Sequence, residues 1–192
     1  MKKIIVPAFL SLALGLGAPV LADEVSEALK AAQQAYEAGR LNDAAAQITT
    51  ANKALLSIKK ARLAAFLPDA PEGWTRTIKK DDSDDSAGLM GGLMGVGAKA
   101  SYLGPDEQAF TINLMADSPM VVGMMGMLGN PQMMAMMGKV VTVNGQSMMV
   151  RDNSMSAMVG GRVLVQAEGG DEDIMKAALS GIDFATLAAY DG

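Results

Sequence analysis

The stretch that decides the fold is Lys139–Glu168, which reads KVVTVNGQSMMVRDNSMSAMVGGRVLVQAE. Apolar and polar residues alternate within it in short runs, a pattern typical of β-strands with one buried face. The strands that it predicts are 139–143, 146–151, 155–159 and 162–168. Asn144-Gly145 is a two-residue hairpin signal, and Gly160-Gly161 marks a second tight turn. Because such short turns join antiparallel neighbours, this stretch predicts an antiparallel meander.

Alternation of the same kind extends upstream of this meander. Phe110, Ile112 and Leu114 share one face of a strand, and the turn-forming residues 104–107 precede that strand. The further strands predicted here are 74–79, 99–103 and 108–115. Tight turns join most of the predicted strands, so we expect one mainly antiparallel sheet of about seven strands.

Helices are predicted on either side of this sheet in the chain. Asp171 is placed to cap a helix that runs to Leu179, and a last short helix follows at 183–190. The sequence therefore predicts an α+β domain at 72–192 with helices on one face of the sheet.

Residues 23–67 predict an antiparallel helical hairpin ahead of the sheet domain. Apolar residues recur at three- and four-residue steps in both halves, and Gly39 is placed to end the first helix. The first stripe contains Val25, Leu29, Ala32 and Tyr36, and the second contains Ala44, Ile48, Ala51, Leu55 and Ile58. We expect these stripes to pack the two helices together.

The centre of this hairpin resembles a tetratricopeptide repeat. Residues 35–44, AYEAGRLNDA, carry the resemblance, and Ile48 and Ala51 follow at matching places. In that family the glycine makes the turn between the helices, and neighbouring repeats stack into a peptide-binding array. This chain has a single unit and lacks the terminal proline, so a plain alanine-rich hairpin is the favoured interpretation.

A second resemblance covers the sheet domain. The order of strands and turns, the entry through Pro71, Gly73 and Trp74, and the terminal helix are similar to uncharacterised secreted bacterial proteins. This resemblance implies an exported α+β protein and brings no activity with it.

The first 22 residues have the layout of a secretory signal peptide. Lys2 and Lys3 are basic, residues 4–16 are almost wholly apolar, and Val20-Leu21-Ala22 fits a cleavage site. We therefore expect a mature chain that begins at Asp23 and works in the periplasm. The uncleaved alternative, a membrane anchor, is disfavoured because a span needs about 20 apolar residues.

Composition limits the chemistry that the chain can perform. It contains no histidine and no cysteine among its 192 residues, which excludes disulfides, histidine-based acid–base catalysis and the usual zinc and haem ligand sets. The formal net charge is −5, and loss of the signal peptide would make it more negative. That balance argues against binding nucleic acid through charge.

Two methionine-rich segments are the unusual feature of the sequence. Residues 119–138, PMVVGMMGMLGNPQMMAMMG, have no charge and contain eight methionines, and residues 86–98 form a shorter, glycine-rich relative. The Gly129-Asn130-Pro131 break divides the long segment into helices at 120–128 and 132–137, neither long enough to span a bilayer. Because strands 99–103 and 108–115 form a hairpin, we expect both segments at the same end of the sheet.

The first functional hypothesis is a non-enzymatic binding module. Methionines point in several directions around both short helices, so some of them should form an exposed apolar patch, which usually marks an interaction site. The partner would be an apolar protein or a lipid-like molecule. The candidate residues are Met90, Met94, Met120, Met124, Met125, Met127, Met133, Met134, Met136 and Met137.

Three alternatives remain open at this point. Thioethers suit Cu(I), and three pairs have i,i+3 spacing: Met124 with Met127, Met133 with Met136, and Met134 with Met137. Copper is the one cofactor that the sequence suggests. An enzyme of unrecognised class is a further alternative, although no nucleophile lies in a motif such as G-x-S-x-G. Finally, the methionines could simply fill the core.

Overall fold

The computed structural model describes residues 18–79 and 95–191. The helices in these ranges are α1 Ala18–Glu37, α2 Leu41–Ala64, α3 Pro119–Leu128, α4 Pro131–Met137, α5 Glu172–Leu179 and α6 Phe184–Ala188. The strands are β1 Thr75–Lys79, β2 Val96–Leu103, β3 Ala109–Ala116, β4 Lys139–Val143, β5 Gln146–Arg151, β6 Ser154–Val159 and β7 Val163–Glu168. A short 3₁₀ turn, Pro105–Glu107, joins β2 to β3.

The strands form one sheet in the order β1-β2-β3-β7-β6-β5-β4, and every pair is antiparallel. It consists of two meanders, β1–β3 and β4–β7, which join where the last strand of the first, β3, pairs with the last strand of the second, β7. The predicted α+β class, with a helical hairpin followed by a seven-stranded antiparallel sheet, is confirmed. The β2–β3 hairpin is confirmed as well, with Val96 opposite Ala116 at its open end.

The larger core lies on one face of the sheet. Alternate residues of the central strands point into it, including Ile112 of β3 and Val165 of β7, which are fully buried. Leu63 of α2, Leu179 of α5 and Leu187 of α6 cover this core on the side away from the sheet. Three of the helices therefore lie on the face where the sequence placed them.

A smaller core lies on the opposite face, beneath α3 and α4. The register places Met115 opposite Leu164, and Leu164 opposite Met158, so an apolar row crosses three strands. Val121 and Met134 pack onto this row. The sequence predicted helices on one face of the sheet, whereas α3 and α4 lie on the other face. Both helices are apolar all around, so their sequence does not indicate which face they cover.

The helical hairpin packs through alanines. Ala28, Ala32 and Ala35 of α1 are buried, as are Ala44 and Ala51 of α2. The larger apolar residues of the predicted stripes lie outside this contact, since Leu29, Tyr36, Ile48 and Leu55 are exposed. Alanine lets the two helices approach closely, and a close approach leaves no room between them for larger side chains.

The C-terminal end of α2 fastens the hairpin to the sheet. Arg76 of β1 donates hydrogen bonds from Nη1 to the carbonyls of Leu67 and Pro68, at 2.8 and 2.9 Å. The Tyr102 hydroxyl donates to the same Pro68 carbonyl at 2.7 Å. Tyr190 donates to the Lys59 carbonyl at 3.0 Å. Within the part of the chain that the structure describes, no helix combines the length and apolarity needed to cross a bilayer.

Candidate methionine-rich interaction surface

Side-chain caps fix where α3 and α4 begin. The Ser118 hydroxyl accepts a hydrogen bond from the Met120 amide at 3.2 Å, and the Asn130 side chain accepts one from the Gln132 amide at 2.9 Å. A proline occupies the first turn of each helix, where its missing amide donor costs nothing. The Gly129-Asn130-Pro131 break thus ends one helix and starts the next, as the sequence predicts.

The inner sides of α3 and α4 are anchored on the sheet. Val121 and Leu128 of α3 are buried, and Met134 of α4 is only 2% exposed. They pack with Met158 and Leu164 of the apolar row. Met115, Val140 and Met149 pack against the same cluster and are partly buried. This anchoring fixes which side of each helix remains outside.

The outer sides of the two helices form what we call the methionine surface. It consists of Met120, Val122, Met125, Met133 and Met136. Met136 is 83% exposed and Val122 is 63% exposed. No charged residue occurs between Ser118 and Gly138, so the surface is uncharged throughout. A contiguous group of exposed apolar side chains usually marks an interaction site.

The structure divides the ten candidate methionines into four groups. Met134 is a core residue, and Met124, Met127 and Met137 are half-buried. Met120, Met125, Met133 and Met136 are exposed. Met90 and Met94 lie outside the described residues. The core interpretation is therefore correct for Met134, as it is for Met148, Met158 and Met175 elsewhere in the fold.

The same grouping bears on the candidate copper pairs. Met134 and Met137 are divided between the core and the half-buried group, and Met124 and Met127 are both half-buried. Met133 and Met136 are the pair that combines i,i+3 spacing with exposure of both residues. Among the described residues, carboxylates form no group of three that could hold a metal ion.

The end of the shorter methionine-rich segment lies against the start of the longer one. Of residues 86–98, the structure describes Gly95 to Ala98. A Cβ built on Gly95 would lie 2.7 Å from the Cβ of Ser118 and 2.5 Å from the Ala116 carbonyl oxygen. Residues 86–94 lie outside the described residues, so the prediction that both segments meet at one end of the sheet stays a prediction for Met90 and Met94.

A charged cluster marks the base of α3. Asp117, at the corner between β3 and α3, accepts hydrogen bonds from Nε and Nη2 of Arg162 at 3.2 and 2.8 Å. Lys59 of α2 lies 3.8 Å from the same carboxylate. The hydrogen bonds to Asp117 raise the pKa of the Arg162 guanidinium. Sequence reasoning missed this cluster because Asp117 and Arg162 are 45 residues apart, and no local pattern links them.

A groove of about 640 Å³ lies elsewhere, between the end of α2, β1 and the start of α6. Its polar groups already have partners within the fold. Arg76 binds backbone carbonyls and pairs with Asp69 at 3.2 Å. Asp183 caps α6 by accepting from the amide and hydroxyl of Thr186, which lowers the pKa of its carboxyl group. The Arg76 contacts fasten the hairpin to the sheet domain, and the Asp183 contacts hold the start of α6.

Comparison with known proteins adds no further information on this site. No protein-family model, no curated protein and no solved structure matches the chain.

Proposed function

We propose that this protein is an exported, non-enzymatic binding protein that docks an apolar segment of another protein on the methionine surface. The observation that carries the proposal is the exposure of Met120, Val122, Met125, Met133 and Met136 on helices anchored from below. Methionine side chains are flexible and polarisable, so they adapt to partners of varied shape.

The charge of the surface favours a protein partner over a lipid bilayer. Helices that lie on membranes usually carry lysine or arginine on the polar side, where they attract anionic headgroups. The segment 119–138 has none, and the whole chain has a net charge of −5. A lipid-like partner is therefore the alternative that the experiment must exclude.

The test compares the wild-type protein with the double variant Met133→Gln/Met136→Gln. Glutamine is close to methionine in size but polar, so the variant removes apolar contact without emptying a core position. Leu103→Gln is the matched control, because Leu103 is also exposed but lies at the opposite end of β2. The dye ANS, which reports exposed apolar surface, and capture of periplasmic proteins on immobilised protein are the two readouts.

We expect the double variant to lose at least about tenfold in partner capture and part of its ANS signal, while the control keeps both. Equal capture by all three proteins would show that the methionine surface is not the docking site. Flotation with neutral and anionic liposomes addresses the lipid alternative, and we expect no association. A Cu(I) titration against a competing chelator, on the same proteins, addresses the copper alternative.

A further inference from the structure

A second exposed apolar face lies on the helical hairpin, away from the methionine surface. Its large side chains are Leu29 and Tyr36 of α1 and Leu41, Ile48 and Leu55 of α2. Tyr36 is 69% exposed and Ile48 is 56% exposed. We call these five residues the hairpin face.

The five residues share one side of the hairpin. Leu29 and Tyr36 each follow a buried alanine of α1 by one residue, which is about 100° of rotation. Ile48 and Leu55 each follow a buried alanine of α2 by four residues, about 40° in the same sense. In an antiparallel pair, side chains displaced in the same sense from the buried row come to the same side of the pair. Leu41, Ile48 and Leu55 also recur every seven residues, the spacing of helix-bundle contacts.

Charge is segregated away from this face. Between residues 27 and 55, the same rotation places the charged side chains of α1 and α2 on the other side of the pair. These are Glu27, Lys30, Glu37, Asp43 and Lys53. An uncharged side and a charged side are what a helix pair shows when one side is covered by further helices.

The hairpin face continues a stripe that is buried at the end of α2. Leu56 and Leu63 are displaced in the same sense from the alanine row, and both pack against the large core of the sheet domain. The sheet domain thus covers this side of α2 at its C-terminal end. Toward the loop between α1 and α2, no element among residues 18–79 and 95–191 covers it.

We propose that a second copy of this chain covers the hairpin face, so that two hairpins form a four-helix bundle around a two-fold axis. Ile48 lies midway between Leu41 and Leu55, so a two-fold axis beside Ile48 brings Leu41 of one copy toward Leu55 of the other. The hairpins lie with their loops at opposite ends. The sheet domain stands on the same side as the face, and loops at the same end would make the two sheet domains collide.

The charge and the size of the face fit a second copy. Because the face carries no charge, pairing it with itself opposes no like charges. Leu41 to Leu55 spans about 21 Å along the helix axis, and two helices side by side are about 20 Å wide. The face is therefore about 400 Å² in projection on each copy, about 800 Å² in total, which is below what stable interfaces bury and fits a weak, transient one. We accordingly expect a weak dimer with a Kd in the micromolar range.

Sedimentation of the purified protein between about 1 and 300 μM tests the dimer. We expect a monomer at the low end and a dimer at the high end. Ile48→Glu should remain monomeric throughout, since it places a charge beside the two-fold axis. Ala46→Glu is the matched control, because Ala46 is also exposed on α2 but lies on the charged side. A wild-type protein that stays monomeric at 300 μM, or equal behaviour of the two variants, would overturn the proposal.

A covalent test checks the geometry independently of affinity. The chain has no cysteine, so a single introduced thiol has one possible partner, its own copy in the second chain. Ile48→Cys should form a disulfide-linked dimer under mild oxidation, because a residue beside the axis meets its own copy within disulfide distance. Ala46→Cys should not. Urea midpoints of all variants confirm that each is folded. Equal cross-linking of the two cysteine variants would contradict the proposed interface.

Discussion

Tyr102 joins the sheet domain to the hairpin through a buried phenol. Its hydroxyl donates to the Pro68 carbonyl at 2.7 Å, and its ring stacks on Phe110 with centroids 4.6 Å apart. Burial raises the pKa of the phenol from its ordinary 10.0 to about 12. The side chain of Tyr190 packs beside Phe66, and burial likewise raises the pKa of its phenol to about 12.

These two pKa values predict a loss of stability in base. A phenol with a higher pKa in the folded state holds its proton more tightly there, so its contribution is complete below pH 10. The contribution is lost as the pH rises from 10 through about 12. Urea midpoints measured across this range, with absorbance at about 295 nm to follow the phenols, should show a steep fall.

The variant Tyr102→Phe separates the two phenols. At neutral pH we expect it to cost about 1 kcal/mol, the net worth of one hydrogen bond. Between pH 10 and 12 its stability should fall less steeply than that of the wild-type protein, because one of the two phenols with a raised pKa has been removed and Tyr190 remains. Identical slopes for the two proteins would show that Tyr102 is not a source of the pH dependence.

At the scale of elements, the β6–β7 turn depends on two adjacent glycines that differ in their surroundings. Both have a positive φ, 58° for Gly160 and 69° for Gly161. A Cβ on Gly160 would lie 2.6 Å from the carbonyl oxygen of Ala188 in α6, closer than real contacts allow. A Cβ on Gly161 would meet only the end of Met125, at 4.0 Å.

This difference predicts unequal costs for the same substitution. Gly161→Ala should cost about 1 kcal/mol, because its only penalty is the left-handed backbone. Gly160→Ala carries that penalty and also collides with backbone, so we expect about 2–4 kcal/mol. The measurement is the urea unfolding free energy of each variant. Equal costs would mean that a side chain at position 160 does not collide with the backbone of α6.

Strands and caps were predictable because their signals are local. Asn144-Gly145 fixed one hairpin, and alternation in 108–115 fixed another strand to within one residue of β3. The packing between elements was not predictable in the same way. Ile48 and Leu55 fit an apolar stripe as well as Ala44 and Ala51 do, and only the interhelical distance decides which of them is buried. Likewise, α4 is apolar on all sides, so its sequence does not indicate that Met134 is buried and Met136 exposed.

At the scale of the whole molecule, the sequence indicates the parts better than their arrangement. The predicted β2–β3 hairpin is present, and it places Gly95, at the end of the shorter methionine-rich segment, beside Ser118, which precedes the longer one. The pairing of β3 with β7 has no local signal, since Thr111 and Glu168 are 57 residues apart. The ion pair of Asp117 with Arg162 depends on that junction and was hidden for the same reason.

The β3–β7 junction also has a consequence for the order of folding. Four strand pairs, β2–β3, β4–β5, β5–β6 and β6–β7, are joined by short turns, whereas the β3–β7 junction must close a much longer loop, which costs more chain entropy. Pulsed hydrogen exchange during refolding should therefore protect amides inside β2–β3 and β4–β5 before those that bridge Leu114 and Val165. Simultaneous protection would contradict this order. Because the β3–β7 junction needs the last strand and the larger core also needs α5 and α6, a chain still being synthesised has no complete core until Leu187 has been added.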